Sequence, residues 1–173
     1  MIITDIVKLT IPCEEWIFTG PNSAKKFAEE LVAELYKAGG MGLAANQIGV
    51  LTRVFAFPGP KEDYVCFNPN IEAYSDEVIE MEEGCLSFPN LLFDIKRAKH
   101  VTLSFYDYKN NRLEQDFTGM TARIIQHEME HLDGELFFQG MSRLKIERAI
   151  KEAKKRGTDY SGMGLLRFAK KET

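Results

Sequence analysis

The chain has 173 residues, 45% of them apolar, which is enough to bury one sizeable core and too little for two full domains. Twenty-two basic against twenty-six acidic side chains leave a net charge of −4, so there is no overall pull toward nucleic acid and no specific nucleic-acid partner is expected. Three cysteines, odd and few, argue against a disulfide framework, and the opening MIITDIVKLTIPCEEW has no signal-like apolar stretch; with no spanning-length run after it, a soluble cytoplasmic protein without a membrane partner is expected.

In chain order, the first predicted element is a helix from Ser23. Phe27, Leu31 and Leu35 recur with Ala28 and Val32 at helical spacing, and Gly39 stops them. Short segments rich in β-branched and aromatic residues follow: RVFAFP, DYVCFNPNI, HVTLSFYDY and the alternating LEQDFTG. Separated by Pro, Asn and Gly, they read as antiparallel strands. Asn110 and Asn111 mark a hairpin turn, since Asn tolerates left-handed conformations. Thr118 is placed to cap a helix running from about Met120 through His131, with Ile125, Met129 and Leu132 as its apolar row and Gly134 to end it. A last helix starts near Ser142, turns Leu144, Ile146, Ala149, Ile150 and Ala153 inward, and stops at Gly157. Residues 157–173 form a tail without a clear period. These elements predict one α+β domain over residues 1–173.

The chemistry lies on another row of the Met120–His131 helix. HEMEH puts His127 and His131 one turn apart on one face, close enough to grip one metal ion, with Glu128 beside them. A catalytic site then needs a third protein ligand. In the HExxHxxGxxH pattern Gly134 matches, but Phe137 stands where the last histidine belongs. Glu147 downstream remains a candidate, which would make the chain a zincin-type metallopeptidase. Upstream, EGCLSFP sets Cys85 between a glycine and a serine and proline that interrupt regular pairing, and a thiolate there suits a metal. Cys13 and Cys66 read as inert buried cysteines, and His100, outside every motif, as structural. In GMGLAANQIGV, Gly40, Gly42, Ala44 and Ala45 leave backbone bare enough to lie against a substrate, and Gln47 is the polar exception.

GMGLAANQ, EGCLS and QHEMEHLDG, in this order, resemble the three signature motifs of the peptide deformylase family, and the similarity runs from about Ser23 to Arg148. The resemblance implies antiparallel sheets packed around a central metal-binding HExxH helix, with an N-terminal and a C-terminal helix. It implies Cys85, His127 and His131 as metal ligands, Glu128 as the catalytic carboxylate, and Gln47 with the backbone N–H of Leu86 as oxyanion donors. It makes Gly42 and its neighbours the binding surface for an extended peptide. Ile124, Leu86 and Leu43 are the candidates for a methionine pocket. The expected activity is removal of the formyl group from the N-terminal methionine of newly synthesised polypeptides, using one divalent ion. Ferrous iron is favoured, and zinc, nickel or cobalt suit the same donors.

Two positions depart from the family pattern. Glu130 replaces the usual Asp inside HExxH, with Arg97 as its expected cationic partner. Arg123, one turn before His127, stands where an apolar residue is common; it must reach the rim of the cleft or pair with an acidic neighbour, and the rim is the expectation. KEAKKR and RFAKK form a local basic patch, read either as a solvated face or as a ribosome contact through the C-terminal helix.

Overall fold

The computed structural model describes residues 1–170. Among the described residues four α-helices, α1 (Ile6–Leu9), α2 (Pro21–Ala38), α3 (Gly119–Leu132) and α4 (Arg143–Lys155), and two short 3₁₀ turns accompany seven strands. These are β1 (Leu43–Ala44), β2 (Val54–Phe57), β3 (Tyr64–Tyr74), β4 (Val78–Cys85), β5 (Phe88–Ala98), β6 (His100–Tyr106) and β7 (Arg112–Thr118). All pairings between strands are antiparallel: five strands form one sheet in the order β1-β2-β3-β6-β7, and β4 and β5 form a separate two-stranded ribbon. Among the described residues no helix is long and apolar enough to cross a membrane.

The expected helices and the four expected strands are present with boundaries shifted by a few residues. Gly39 closes α2 in the left-handed conformation, at φ +67°. The β6–β7 turn is tied by Asp107, whose carboxylate accepts from the amides of Lys109 and Asn111, while Asn110 takes φ +66°. Thr118 sits at the N-cap of α3 without a side-chain capping bond. Leu144, expected on the inner face of α4, is exposed; Ile146 and Ala153 are the residues α4 buries completely.

The β4–β5 ribbon is the largest element absent from the sequence reading, beside the short α1 and β1. Its signal is a period of two: Leu91, Phe93, Ile95 and Arg97 are all buried along β5, and across from them Glu83 is buried on β4. The glutamate and arginine interrupted what would otherwise read as an apolar alternation. Pro89, expected to end pairing, lies inside β5.

Helix α3 touches β1, β2, β6 and β7 of the large sheet and β5 of the ribbon. Ala122, Ile125, Met129 and Leu132 pack on Phe55, Phe57, Leu103 and Phe117 of the sheet. The other face of the large sheet is covered by Leu31 and Leu35 of α2. A third cluster joins Phe88, Leu91 and Phe93 of the ribbon to Phe138, to Ile146 of α4, and to Tyr160 and Leu165 of the tail.

The carbonyls that end α3 are collected by distant segments. Cys13 N–H donates to Leu132 O at 2.8 Å and Asn46 Nδ2 to His131 O at 2.6 Å. The chain then leaves the helix through Gly134 at φ +72°, where a Cβ would come within 2.9 Å of Thr10 O and Pro12 N. Both the torsion and the space exclude a side chain. Gly134→Ala is expected to destabilise the fold by about 1–3 kcal/mol, read as a lowered urea midpoint with unchanged slope; a midpoint equal to wild type would contradict this account of the turn.

Candidate metal centre

His127 and His131 stand one turn apart on α3, their ring centroids 5.1 Å apart. Cys85, the last residue of β4, meets them from the ribbon. Its Sγ lies 3.1 Å from His131 Nε2, and one donor atom from each of the three residues falls within 4.8 Å of the others. A tetrahedral ion with sulfur at about 2.3 Å and nitrogen at about 2.0 Å separates those two atoms by about 3.5 Å. The donor set therefore fits a metal with a shift of a few tenths of an ångström. Burial pushes the Cys85 thiol up, but the facing imidazoles of His131 and His127 more than offset it and hold the thiol down at about 5, so it is a thiolate at neutral pH.

Glu83, two residues before Cys85 and on the same face of β4, is the functional neighbour that the sequence reading missed. Its Oε2 lies 3.3 Å from His127 Nδ1, which leaves Nε2 of that ring for the cleft. Arg97 of β5 grips the same carboxylate through Nε at 2.7 Å and Nη2 at 2.9 Å, and reaches Glu130 of α3 at 2.7 and 2.8 Å. The expected Arg97–Glu130 pair is thus half of a larger cluster. Burial raises the Glu83 carboxyl, yet hydrogen bonds from His127 and Arg97 bring it down to about 2.

Arg123 completes that cluster, against the expectation that it reaches the rim. It is 5% exposed, and its guanidinium donates to Glu83 Oε1, to Ile95 O at 2.9 Å and to Ile79 O. The physical reason is the buried carboxylate: an inward arginine finds a charged acceptor and two carbonyls, and at the rim it would find water while Glu83 lost a donor. One turn before His127, Arg123 is still among the residues that line the cleft.

The cleft beside this donor group, lined by Cys85 and His127 while His131 is buried behind them, has a volume of about 440 Å³. Gln47 is buried beside it in a single 3₁₀ turn, Ala45–Ile48. Its Oε1 accepts from Ala44 N at 2.9 Å, which fixes the amide so that Nε2 faces Ser87 Oγ at 3.2 Å and Cys85 Sγ at 3.4 Å. Leu86 occupies the two-residue turn between β4 and β5 and lines the cleft with Ile124. Gly42 comes so close to α3 that a Cβ there would strike the Glu128 carboxylate and stand 2.7 Å from Ile124. Leu43 departs from expectation: its side chain is fully buried in the cluster under α2, because successive residues of β1 face opposite sides and Gly42 takes the side of the cleft.

Glu128 is 3% exposed, and its Oε2 has no protein hydrogen-bond partner among the described residues. Burial raises its carboxyl to about 7, with the two imidazoles pulling it down and the Cys85 thiolate pushing it up. A carboxyl poised near neutrality and aimed into a cleft suits proton transfer. Glu147, the rival third ligand, is paired with Arg143 on the exposed side of α4 and is not in the donor group. Cys13 is buried and its thiol is pushed up to about 11, and Cys66 is fully buried with its thiol also raised, consistent with inert core roles. His100 is exposed at the start of β6.

Most of the chain is similar to known proteins. The family model for polypeptide deformylase matches residues 4–147, beginning well before the Ser23 at which the motifs suggested the similarity starts. A peptide deformylase of Phenylobacterium zucineum is 41% identical over 139 residues, covering 78% of this chain and 82% of that protein. One from the Wolbachia of Brugia malayi is 37% identical over 151 residues, covering 79% and 84%. Among solved structures, a peptide deformylase from Synechococcus elongatus in complex with actinonin has a TM-score of 0.78 at 29% identity and covers 85% of this chain and 81% of its own. With the matched region spanning the glycine loop, the Cys85 turn and the HEMEH helix, the chain belongs to the polypeptide deformylase family.

Proposed function

We propose that this chain hydrolyses the formyl group from the N-terminal methionine of newly synthesised polypeptides, in the cytoplasm and as one catalytic domain, with α3 as the metal-binding helix around which its antiparallel sheets pack. The observation that carries this reading is the convergence of donor atoms from Cys85, His127 and His131 at the edge of a cleft that Cys85, His127 and the buried Glu128 line. Family membership supports the reaction, and the displacement of Glu147 from the site removes the ligand set a zincin reading requires.

Cys85, His127 and His131 would hold one divalent ion. Ferrous iron is our preferred choice, and zinc, nickel or cobalt suit a thiolate with two imidazoles. Bound there, the ion supplies Lewis-acid chemistry that polarises the formyl carbonyl and makes water acidic enough to react at neutral pH. The protein's own groups do the rest. Glu128 accepts the proton of the attacking water as its oxygen bonds the formyl carbon, then delivers a proton to the departing amine as the C–N bond breaks. Formate and a free N-terminus result. Gln47 Nε2 and the Leu86 amide donate to the oxygen that gains charge. Gln47 is suited to this because its Oε1 is already anchored, so little reorganisation accompanies the reaction.

Gly40 and Gly42 line the cleft where an extended peptide would lie, and Leu86 and Ile124 offer an apolar wall to the methionine side chain. Arg123 lines the same cleft while its charge stays with Glu83. A ribosome contact is proposed for the end of α4, where Lys151, Lys154, Lys155 and Arg156 of KEAKKR are exposed; Lys171 of the RFAKK segment lies outside the described residues.

Glu128→Gln should keep one metal per chain and lose about 100-fold or more in kcat, measured as formate release from a formyl-Met peptide beside metal analysis; near-normal turnover would remove Glu128 from the mechanism. Cys85→Ser should weaken binding of a thiophilic ion by at least about tenfold, measured by chelator competition, and an unchanged affinity would remove Cys85 from the ligand set. The basic end of α4 predicts ribosome co-sedimentation that is lost as salt rises; absence of binding at low salt would return it to a solvated surface.

A further inference from the structure

The family match stops at residue 147, yet the chain beyond it returns to the turn that carries the thiolate. Cys85 and Phe88 pair at the end of the ribbon, with Leu86 and Ser87 as the turn between them. Directly after that turn, Pro89 and Asn90 are grasped by the segment following α4. The buried Tyr160 hydroxyl donates to Pro89 O at 2.7 Å, and Asn90 Nδ2 donates to Thr158 Oγ1 at 2.9 Å and to Arg156 O at 3.3 Å. Asn90 holds φ +64°, a left-handed conformation that these bonds oppose relaxing. The Tyr160 ring lies 6.5 Å from that of Phe88, inside the cluster against which Cys85 packs. Tyr160 stays a donor at working pH, since burial, with the Cys85 thiolate adding to it, pushes its phenol up to about 12.

The geometry points to Arg156–Tyr160 as a strap that fixes the Cys85–Phe88 turn through Pro89 and Asn90, which line the same cleft, with Tyr160 as a positioning residue for the thiolate through the Pro89 carbonyl. Three hydrogen bonds on two adjacent residues leave the turn little freedom to slide along the ribbon. The thiolate must meet imidazoles held on a different element, so a displacement of the turn changes the ligand set itself. Outer groups that orient a ligand typically change metal affinity by about 10- to 100-fold. The inference rests on Cys85 being a metal ligand.

Apo-protein titrated with Co²⁺ against a chelator gives the dissociation constant, and the thiolate-to-cobalt absorption reports the Cys85 bond directly. Tyr160→Phe keeps the ring and loses the bond to Pro89; Asn90→Gly accepts the left-handed backbone and loses the other two. Each is expected to weaken Co²⁺ binding about tenfold, at the low end for outer groups, to shift or diminish the thiolate band, and to lower kcat more than it raises KM. Ile146→Val, in the same cluster but without a bond to the turn, is expected to lower Tm while leaving affinity and band unchanged. Wild-type affinity and spectrum in Tyr160→Phe would overturn the strap, as would an equal loss in Ile146→Val. A wild-type protein whose cobalt spectrum is the same as that of Cys85→Ser would overturn the ligand assignment and the strap together.

Discussion

A carboxylate taken out of water loses several kcal/mol of hydration, and Glu83 recovers that loss only because three donors from two elements reach it at once. Arg97 comes from β5, and Arg123 and His127 come from α3. Removing the helix from the ribbon would leave a buried charge facing one arginine and no imidazole. The ion cluster therefore sets the distance between the two pieces of chain that carry the metal donors. It also aligns His127, since the bond at Nδ1 selects which ring nitrogen turns to the cleft. Two arginines against Glu83 and Glu130 make the cluster neutral in sum, which a buried network requires.

The second constraint is closeness. Gly42 lies where any side chain would displace Glu128 or Ile124, so the loop covers the carboxylate with bare backbone. That cover desolvates Glu128 and raises its carboxyl into the range where it can both take and give a proton. A larger residue at position 42 would open the site to water or move the acid. The small-residue loop and the proton-transfer residue are thus one device, and the amide of Gln47, pinned by Ala44, closes its other side.

Local rules made much of this legible. Two histidines at i and i+4 share a helix face whatever the fold, a glycine-rich segment advertises bare backbone, and a polar Gln47 among alanines and isoleucine stands out. What could not be read locally is where a shared face points. Arg123 lies one turn from His127, as its spacing dictates, but that face looks both into the cleft and onto the ribbon. The choice is made by Glu83, forty positions earlier in the chain. The ribbon itself was hidden for a related reason: Glu83 and Arg97 occupy buried positions of its alternation, so a hydrophobic pattern breaks where the ion cluster begins. Leu43 shows the same limit on a smaller scale, since only the paired sheet decides which side of a two-residue strand faces the core.

The thiolate and the imidazoles are carried by elements that rest on different cores, although the His127 ring also meets Phe137 of the cluster behind Cys85, at 5.4 Å between centroids. His127 and His131 are fixed by α3 lying on the large sheet, whereas Cys85 packs against a cluster built from the ribbon, α4 and the tail. Each core can be close-packed without regard to the other, so neither alone determines the distance from Sγ to Nε2. That distance is set by what bridges them, which is the His127–Phe137 ring contact and a set of directional polar bonds. Glu83 binds both elements from within, and the bonds from Tyr160 and Thr158 hold the ribbon turn through Pro89 and Asn90. Hydrogen bonds depend on direction as well as distance, and apolar contact does not. A site that needs three donors within 4.8 Å of one another is accordingly located by its buried charges and hydrogen bonds, while the hydrophobic clusters supply the cohesion that keeps those bonds away from water.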